Sequence, residues 1–163
     1  MDRLWAPWRH EYVTEAIHQK NGCVFCLIFK AREDRKNLIF ARSRHSFAVL
    51  NLYPYNNGHT LIIPARHVSD LDKLCPEEQL DFFDLMSASK RLLQTVLKPD
   101  GFNIGMNLGR VAGAGVPGHV HMHVVPRWKG DVNFMPVVNG TRVISQSMRT
   151  LFQRLKKAQA GQA

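Results

Sequence analysis

The stretch GFNIGMNLGRVAGAGVPGHVHMHVVPRW, residues 101–128, decides how the chain is read. Within it His119, His121 and His123 alternate with Val120, Met122 and Val124. That is the two-residue period of a β-strand, so one face would carry three imidazoles and the other an apolar surface for a core. Immediately upstream, AGAGVPG at residues 112–118 supplies three glycines. Such a turn lets backbone approach a ligand closely and aims N–H groups at an anion. A glycine-rich turn feeding a ladder of imidazoles points to phosphate chemistry with imidazole as the reactive group. A tripod of alternate histidines around a metal is the competing reading, since histidine is the commonest metal ligand, but it does not call for the glycines.

Working upstream from the ladder, residues 102–107 read as a fourth strand and the histidine segment as a fifth. Before them, residues 76–97 read as one long helix. Pro76 suits its first turn, and Glu77 and Glu78 suit the positive end of the helix dipole. Phe82, Leu85, Met86, Ser89, Leu92, Leu93 and Val96 recur at helical spacing as a core face, and Pro99-Asp100-Gly101 ends the element. NLIFA (37–41) and SFAVLN (46–51) read as strands joined by the polar RSRH turn, and HTLIIP (59–64) as a third strand after the turn PYNNG. Downstream, SQSMRTLFQRLKK (145–157) reads as a short amphipathic helix. Short strands around one long helix, with no repeated βαβ unit, indicate an α+β fold. The chain divides into an aromatic arm at 1–22 with Trp5, Trp8 and Tyr12, a body at 23–140, and a C-terminal helix and tail at 141–163.

At 163 residues and 45% hydrophobic content, one domain with a genuine core is expected. No apolar run is long enough to cross a membrane, and MDRLWAPWRHEYV lacks the apolar segment of a secretory signal, so a cytoplasmic location is expected. The net charge of +9, from 22 Lys and Arg against 13 Asp and Glu, suits a polyanionic partner. The basic residues scatter, apart from Arg42-Ser43-Arg44-His45 and Arg154-Leu155-Lys156-Lys157, and charge alone does not choose between a nucleotide, a nucleic acid and a plainly solvated basic surface. Three cysteines are too few for a disulfide scaffold. Cys23-Val24-Phe25-Cys26 is a CxxC that suggests metal or redox chemistry, although nothing around it resembles the βαβ unit of a thioredoxin-like motif. Cys75 reads as a small residue at a helix start.

The segment His119-Val120-His121-Met122-His123-Val124-Val125 matches the pattern His-x-His-x-His-x-x with apolar x, and the chain resembles the histidine-triad superfamily of nucleotide hydrolases and transferases. The resemblance covers roughly residues 23–135. NLG, HVVPRW and GDVNF, with the LWAPWR opening, are most similar to the bacterial branch that includes diadenosine tetraphosphate phosphorylases. It implies a five-stranded antiparallel sheet with helices on one side, a homodimer in which two sheets join, and a nucleotide as partner with no specific nucleic-acid binding. It implies His121 as the nucleophile that attacks an α-phosphorus, its second nitrogen held as N–H by a backbone carbonyl, with water or phosphate releasing the nucleotide. His123 would bind phosphate and His59 would line the site. Backbone around Gly115 and Val116, with the Asn107 side chain, would meet phosphate oxygens. Asn51 would bind ribose hydroxyls, with Val49 and Leu61 forming a slot for adenine. Zinc-bearing relatives would place Cys23, Cys26, His67 and His119 around a structural zinc, with no organic cofactor. One departure stands out: many members carry Gln where this chain has Gly115. The smaller residue leaves space for inorganic phosphate as acceptor, which favours a phosphorylase. A water-dependent dinucleoside polyphosphate or phosphoramidate hydrolase, and a non-catalytic zinc-stabilised nucleotide-binding module, remain the alternatives.

Overall fold

The computed structural model describes residues 22–131 and 146–161. The expected arm, apart from Gly22, lies outside the described residues, as do residues 132–134 of GDVNF and the start of the 145–157 segment. Five strands form one antiparallel sheet: β1 (Ile39–Arg42), β2 (Ser46–Leu50), β3 (Thr60–Pro64), β4 (Gly101–Met106) and β5 (Met122–Arg127), in the order β1-β2-β3-β5-β4. Helices α1 (Val24–Ala31), α2 (Pro76–Leu97) and α3 (Met148–Ala160) complete it. The five-stranded α+β expectation holds.

The long helix forms where its end signals place it. The Glu78 carboxylate accepts the Cys75 N–H at 3.0 Å, satisfying a donor that a helix start leaves orphaned, and Pro76 needs no donor there. Lys98 closes the other end in the left-handed region at φ 49°, its N–H returning to the Gln94 carbonyl. Phe82, Leu85, Ser89, Leu92 and Leu93 form the buried stripe.

Register separates the two faces of the sheet. Val49 opposes Leu61, and Leu61 opposes His123, so these share a face with Phe47 and Ile63 two residues away. Met122, Val124 and Pro126 lie on the other face, which α2 covers. A Cβ placed on Gly58 would sit 2.5 Å from Leu97 Cδ1 and 3.2 Å from Pro126 Cγ. With φ at +77° as well, that turn position requires glycine. Pairing between β3 and β5 runs only from Ile62 and Met122 to Thr60 and Val124. Beyond that the backbone pairing stops, although Gly58 still sits beside Pro126, which has no N–H to donate.

Three expectations change. The helices do not share one side: Phe29 of α1 packs on Phe47 at 5.2 Å and Phe25 packs on His121 at 5.0 Å, so α1 covers the histidine face. The CxxC opens this helix, Cys23 standing at its N-cap, although no βαβ unit is present among the described residues. The last helix begins at Met148, three residues later than its amphipathic pattern suggested, with the Ser147 hydroxyl accepting the Thr150 N–H as cap.

Candidate functional site

The ladder begins before the paired strand does. β5 starts at Met122, so His119 and His121 belong to the segment that leads into it, and His123 is the histidine inside the ladder of hydrogen bonds. Each of the three is held in a different way.

His119 is fully buried. Its Nε2 lies 2.9 Å from the Pro64 carbonyl, which can only accept, so that nitrogen carries the proton. Burial pushes its pKa down to about 4, so the ring is neutral at pH 7 and its Nδ1 offers a lone pair. That lone pair faces sulfur: Cys23 Sγ at 3.3 Å and Cys26 Sγ at 3.6 Å, while Cys26 Sγ is 3.3 Å from His67 Nδ1. The four donor atoms lie within 4.8 Å of one another. Tetrahedral zinc with Zn–S of about 2.3 Å and Zn–N of about 2.0 Å requires sulfur and nitrogen about 3.5 Å apart, so this donor set fits the ion. The Pro64 carbonyl is the outer partner that fixes a ligating imidazole. Burial and the neighbouring Cys23 push the Cys26 thiol up, a penalty that a divalent cation reverses.

His121 follows with the opposite nitrogen engaged. Its Nδ1 donates to the His119 carbonyl at 2.9 Å, which leaves Nε2 without the proton. Burial lowers its pKa, keeping the ring neutral, while the carbonyl opposes that shift. Phe25 meets His119 and His121 edge-on at 5.6 and 5.0 Å and walls the two rings. A neutral imidazole with a committed Nδ1–H is a nucleophile at Nε2.

His123 sits 5.1 Å from His121, ring centre to ring centre, and meets His59 instead of a carbonyl. The His59 Nε2 and His123 Nδ1 are 2.9 Å apart. The Tyr55 N–H donates to His59 Nδ1 at 3.0 Å. A backbone amide only donates, so in neutral His59 the proton is on Nε2, is given to His123 Nδ1, and leaves the His123 proton on Nε2.

The remaining expected residues divide. Asn51 lies beside His59, its Oδ1 accepting the Tyr53 N–H at 3.1 Å and its Nδ2 3.2 Å from His59 Nδ1. Val49 and Leu61 are buried cross-strand partners on the histidine face. Asn107 follows β4, and its Nδ2 donates to the Gly113 carbonyl at 3.4 Å, so its amide braces the glycine-rich turn. Gly115 and Val116 are half-buried in that turn, whose Val116 carbonyl accepts the His119 N–H at 3.2 Å. The ladder therefore gathers His59, Asn51, His67 and both cysteines, while Asn107 is engaged within its own loop.

A family model for the HIT domain matches residues 32–130. The chain belongs to the HIT family. The chain is 39% identical over 156 residues to the AP-4-A phosphorylase of Mycobacterium tuberculosis, covering 91% of this chain and 80% of that protein. The asymmetrical bis(5'-nucleosyl)-tetraphosphatase of Schizosaccharomyces pombe is 40% identical over 93 residues, 57% of this chain and 50% of that protein. Among solved structures, a Zn-bound histidine triad family protein from Mycobacterium smegmatis superposes with a TM-score of 0.70 at 28% identity, covering 86% of this chain and 95% of that one.

Two parts of this HIT site escape a reading of the sequence. Phe25 is hidden inside the CxxC, where only the helix that follows reveals which way it points. Tyr55 sits in a segment with every mark of a plain turn, and its partner His123 is far along the chain.

Proposed function

We infer that this HIT-family chain cleaves dinucleoside polyphosphates of the diadenosine tetraphosphate type through a nucleotidyl-His121 intermediate, with inorganic phosphate as the acceptor. The observation that carries this reading is the Nδ1–H bond from His121 to the His119 carbonyl at 2.9 Å, which frees Nε2 for attack. Nε2 forms a bond to the α-phosphorus as the bridging P–O bond breaks and ATP leaves with the electron pair. Phosphate then attacks the nucleotidyl-imidazole, the P–N bond breaks, and ADP departs. Water in that step would give AMP. The His123 N–H and the turn at Gly115 and Val116 serve the phosphate chain, and the apolar face of Val49 and Leu61 is assigned to the adenine base. Asn51 is assigned to the ribose, His59 to orientation of His123.

Gly115 supports phosphate as acceptor, since no side chain there fills the place of a second anion. The name of the mycobacterial relative agrees with that choice. Cys23, Cys26, His67 and His119 are assigned to a structural zinc, which would tie the start of α1 to the catalytic segment. A thiolate site of this kind fits a reducing compartment, in keeping with a cytoplasmic location. No helix among the described residues is long and apolar enough to cross a membrane. A homodimer is assigned to the outer edge of β4, where Ile104 is 42% exposed on a strand with one paired neighbour.

Incubation with diadenosine tetraphosphate, with and without millimolar phosphate, tests the reading by its products. ADP and ATP in the presence of phosphate are expected, and Gly115→Gln should slow that route more than the water route. AMP and ATP alone would make water the acceptor, and no cleavage in either condition would refute the enzyme.

A further inference from the structure

The loop between β2 and β3 and the segment after β5 carry motifs, YPYNNG and PRWKGD, that the chemistry above leaves unused. They meet. Asn56 Nδ2 donates to Asp131 Oδ2 at 2.7 Å and to the Pro126 carbonyl at 3.2 Å. Asp131 is itself gripped by Arg127 through two bonds of 2.6 and 2.9 Å and accepts the Trp128 N–H at 3.2 Å. The Arg127 guanidinium holds the Asp131 carboxyl down at about 2, so the acceptor stays charged and the grip holds at neutral pH. One residue before Asn56, the Tyr55 ring lies over two imidazoles: His59 at 4.6 Å, and His123 at 5.6 Å with planes only 14° apart.

We propose that Tyr55 is a positioning residue for the phosphate-binding end of the site: its ring sets the planes of His59 and His123, its N–H sets their tautomers, and the Asn56–Asp131–Arg127 latch holds it there. This rests on the reading of His123 as a phosphate ligand. With the proton on Nε2, His123 meets an anionic oxygen as a donor. In the other tautomer it would present a lone pair to the same oxygen and repel it. A neutral imidazole has no intrinsic commitment to either form, so the donors at His59 Nδ1, the Tyr55 N–H and the Asn51 amide, decide which is populated. Tautomer control passes from a backbone amide through one ring to the next, and it fails if either ring swings so that the two nitrogens lose their 2.9 Å contact, which they make with planes 40° apart.

Three variants and one spectrum test it. Tyr55→Phe keeps ring and N–H and should leave kcat and KM for diadenosine tetraphosphate within about 2-fold of wild type, whereas Tyr55→Ala should lower kcat about 10-fold or more with KM changed less than about 3-fold, the pattern of a lost orientation. Should the alanine variant fail to fold, Tyr55→Leu, which keeps bulk without a flat ring, stands in its place with the same expected loss. Nitrogen-15 NMR of the full wild-type chain, at about pH 8 so that imidazoles are neutral, should show His59 and His123 both protonated at Nε2. His59 protonated at Nδ1 would overturn the proposal, as would wild-type kcat in the alanine or leucine variant, or an equal loss in the phenylalanine variant. The tautomers are read without substrate. A wild-type protein that cleaves no dinucleotide but shows the expected tautomers would sink the functional reading and leave this one standing.

Discussion

At the His119 end of the ladder, imidazole nitrogens face sulfur; at the His123 end they face another imidazole beneath a tyrosine. Both ends start from the same side chain at the same strand period. What separates them is the partner given to the second nitrogen. The Pro64 carbonyl takes the His119 proton and leaves a lone pair for a metal, while a donor at His59 pushes the proton of His123 outward. His121 lies between them and borrows from the metal end, because the carbonyl that fixes its tautomer is that of His119. A repeated residue thus acquires three roles from backbone groups that composition does not display.

The sharpest break in this comparison is His121→Ala. Turnover should fall at least about 1000-fold while nucleotide binding, measured by calorimetry, stays near wild type. Retention of more than a few per cent of turnover would return the site to a binding module. Next in size is the metal end. Protein purified without chelator should contain one zinc per chain by elemental analysis. Cys23→Ser should lower the melting temperature by about 5 °C or more, since structural zinc sites contribute on the order of 10 kcal/mol to folding. Its kcat should fall less than about 10-fold, because a metal on these four donors would hold the peptide unit and take no part in the bond changes. A metal-free protein that melts like wild type would erase the distinction between the ends.

The smallest effect concerns the segment that carries His67. Arg66 pairs with Glu78 at 2.6 Å and donates to the Lys73 carbonyl, pinning that segment to the start of α2. The Arg66 guanidinium holds the Glu78 carboxyl down at about 2, below its ordinary 4.5. A depressed carboxylate stabilises the fold above its unfolded pKa and loses that contribution as pH falls through the folded one. Glu78→Gln should therefore melt below wild type near pH 7, and the gap should close between pH 4.5 and about 2. A gap constant with pH would mean that packing, not charge, links Glu78 to the segment.

Much of this was legible in the chain. Pro76 with Glu77 and Glu78, and Lys98 before Pro99, mark both ends of α2 because capping is local chemistry. β2 and β3 fall within a residue of their apolar segments because polar turns bound them. α1 was not legible: VFCLIF is continuously apolar, so helical periodicity has nothing to contrast with, and Cys23 offers no side-chain cap hydrogen bond. The four metal donors came from resemblance, and their spacing alone left metal and redox chemistry open. Asn107 leaves a phosphate donor and a strand-end turn residue both open in sequence, because an amide fits many partners; the fold adds that its Nδ2 donates to the Gly113 carbonyl. Tyr55 escapes for the plainest reason, that its contact with His123 crosses 68 positions of sequence and no local pattern carries it.

The end of the β3–β5 ladder at Thr60 and Val124 has a consequence for time as well as for shape. Past it no backbone pairing ties residues 53–58 to β5; that loop, at one end of the site, is held by the two side-chain bonds of Asn56 and, toward His59, by the Tyr55 N–H and the Asn56 carbonyl, so it can loosen at the cost of local bonds alone. Release of the other end would require dismantling a cluster locked between α1, the Pro64 carbonyl and the catalytic segment. Local opening is cheapest where the fewest cooperative bonds are lost. Entry of a long polyphosphate and exit of its products are therefore expected on the tyrosine side, as brief excursions of a small loop, with His121 held in place.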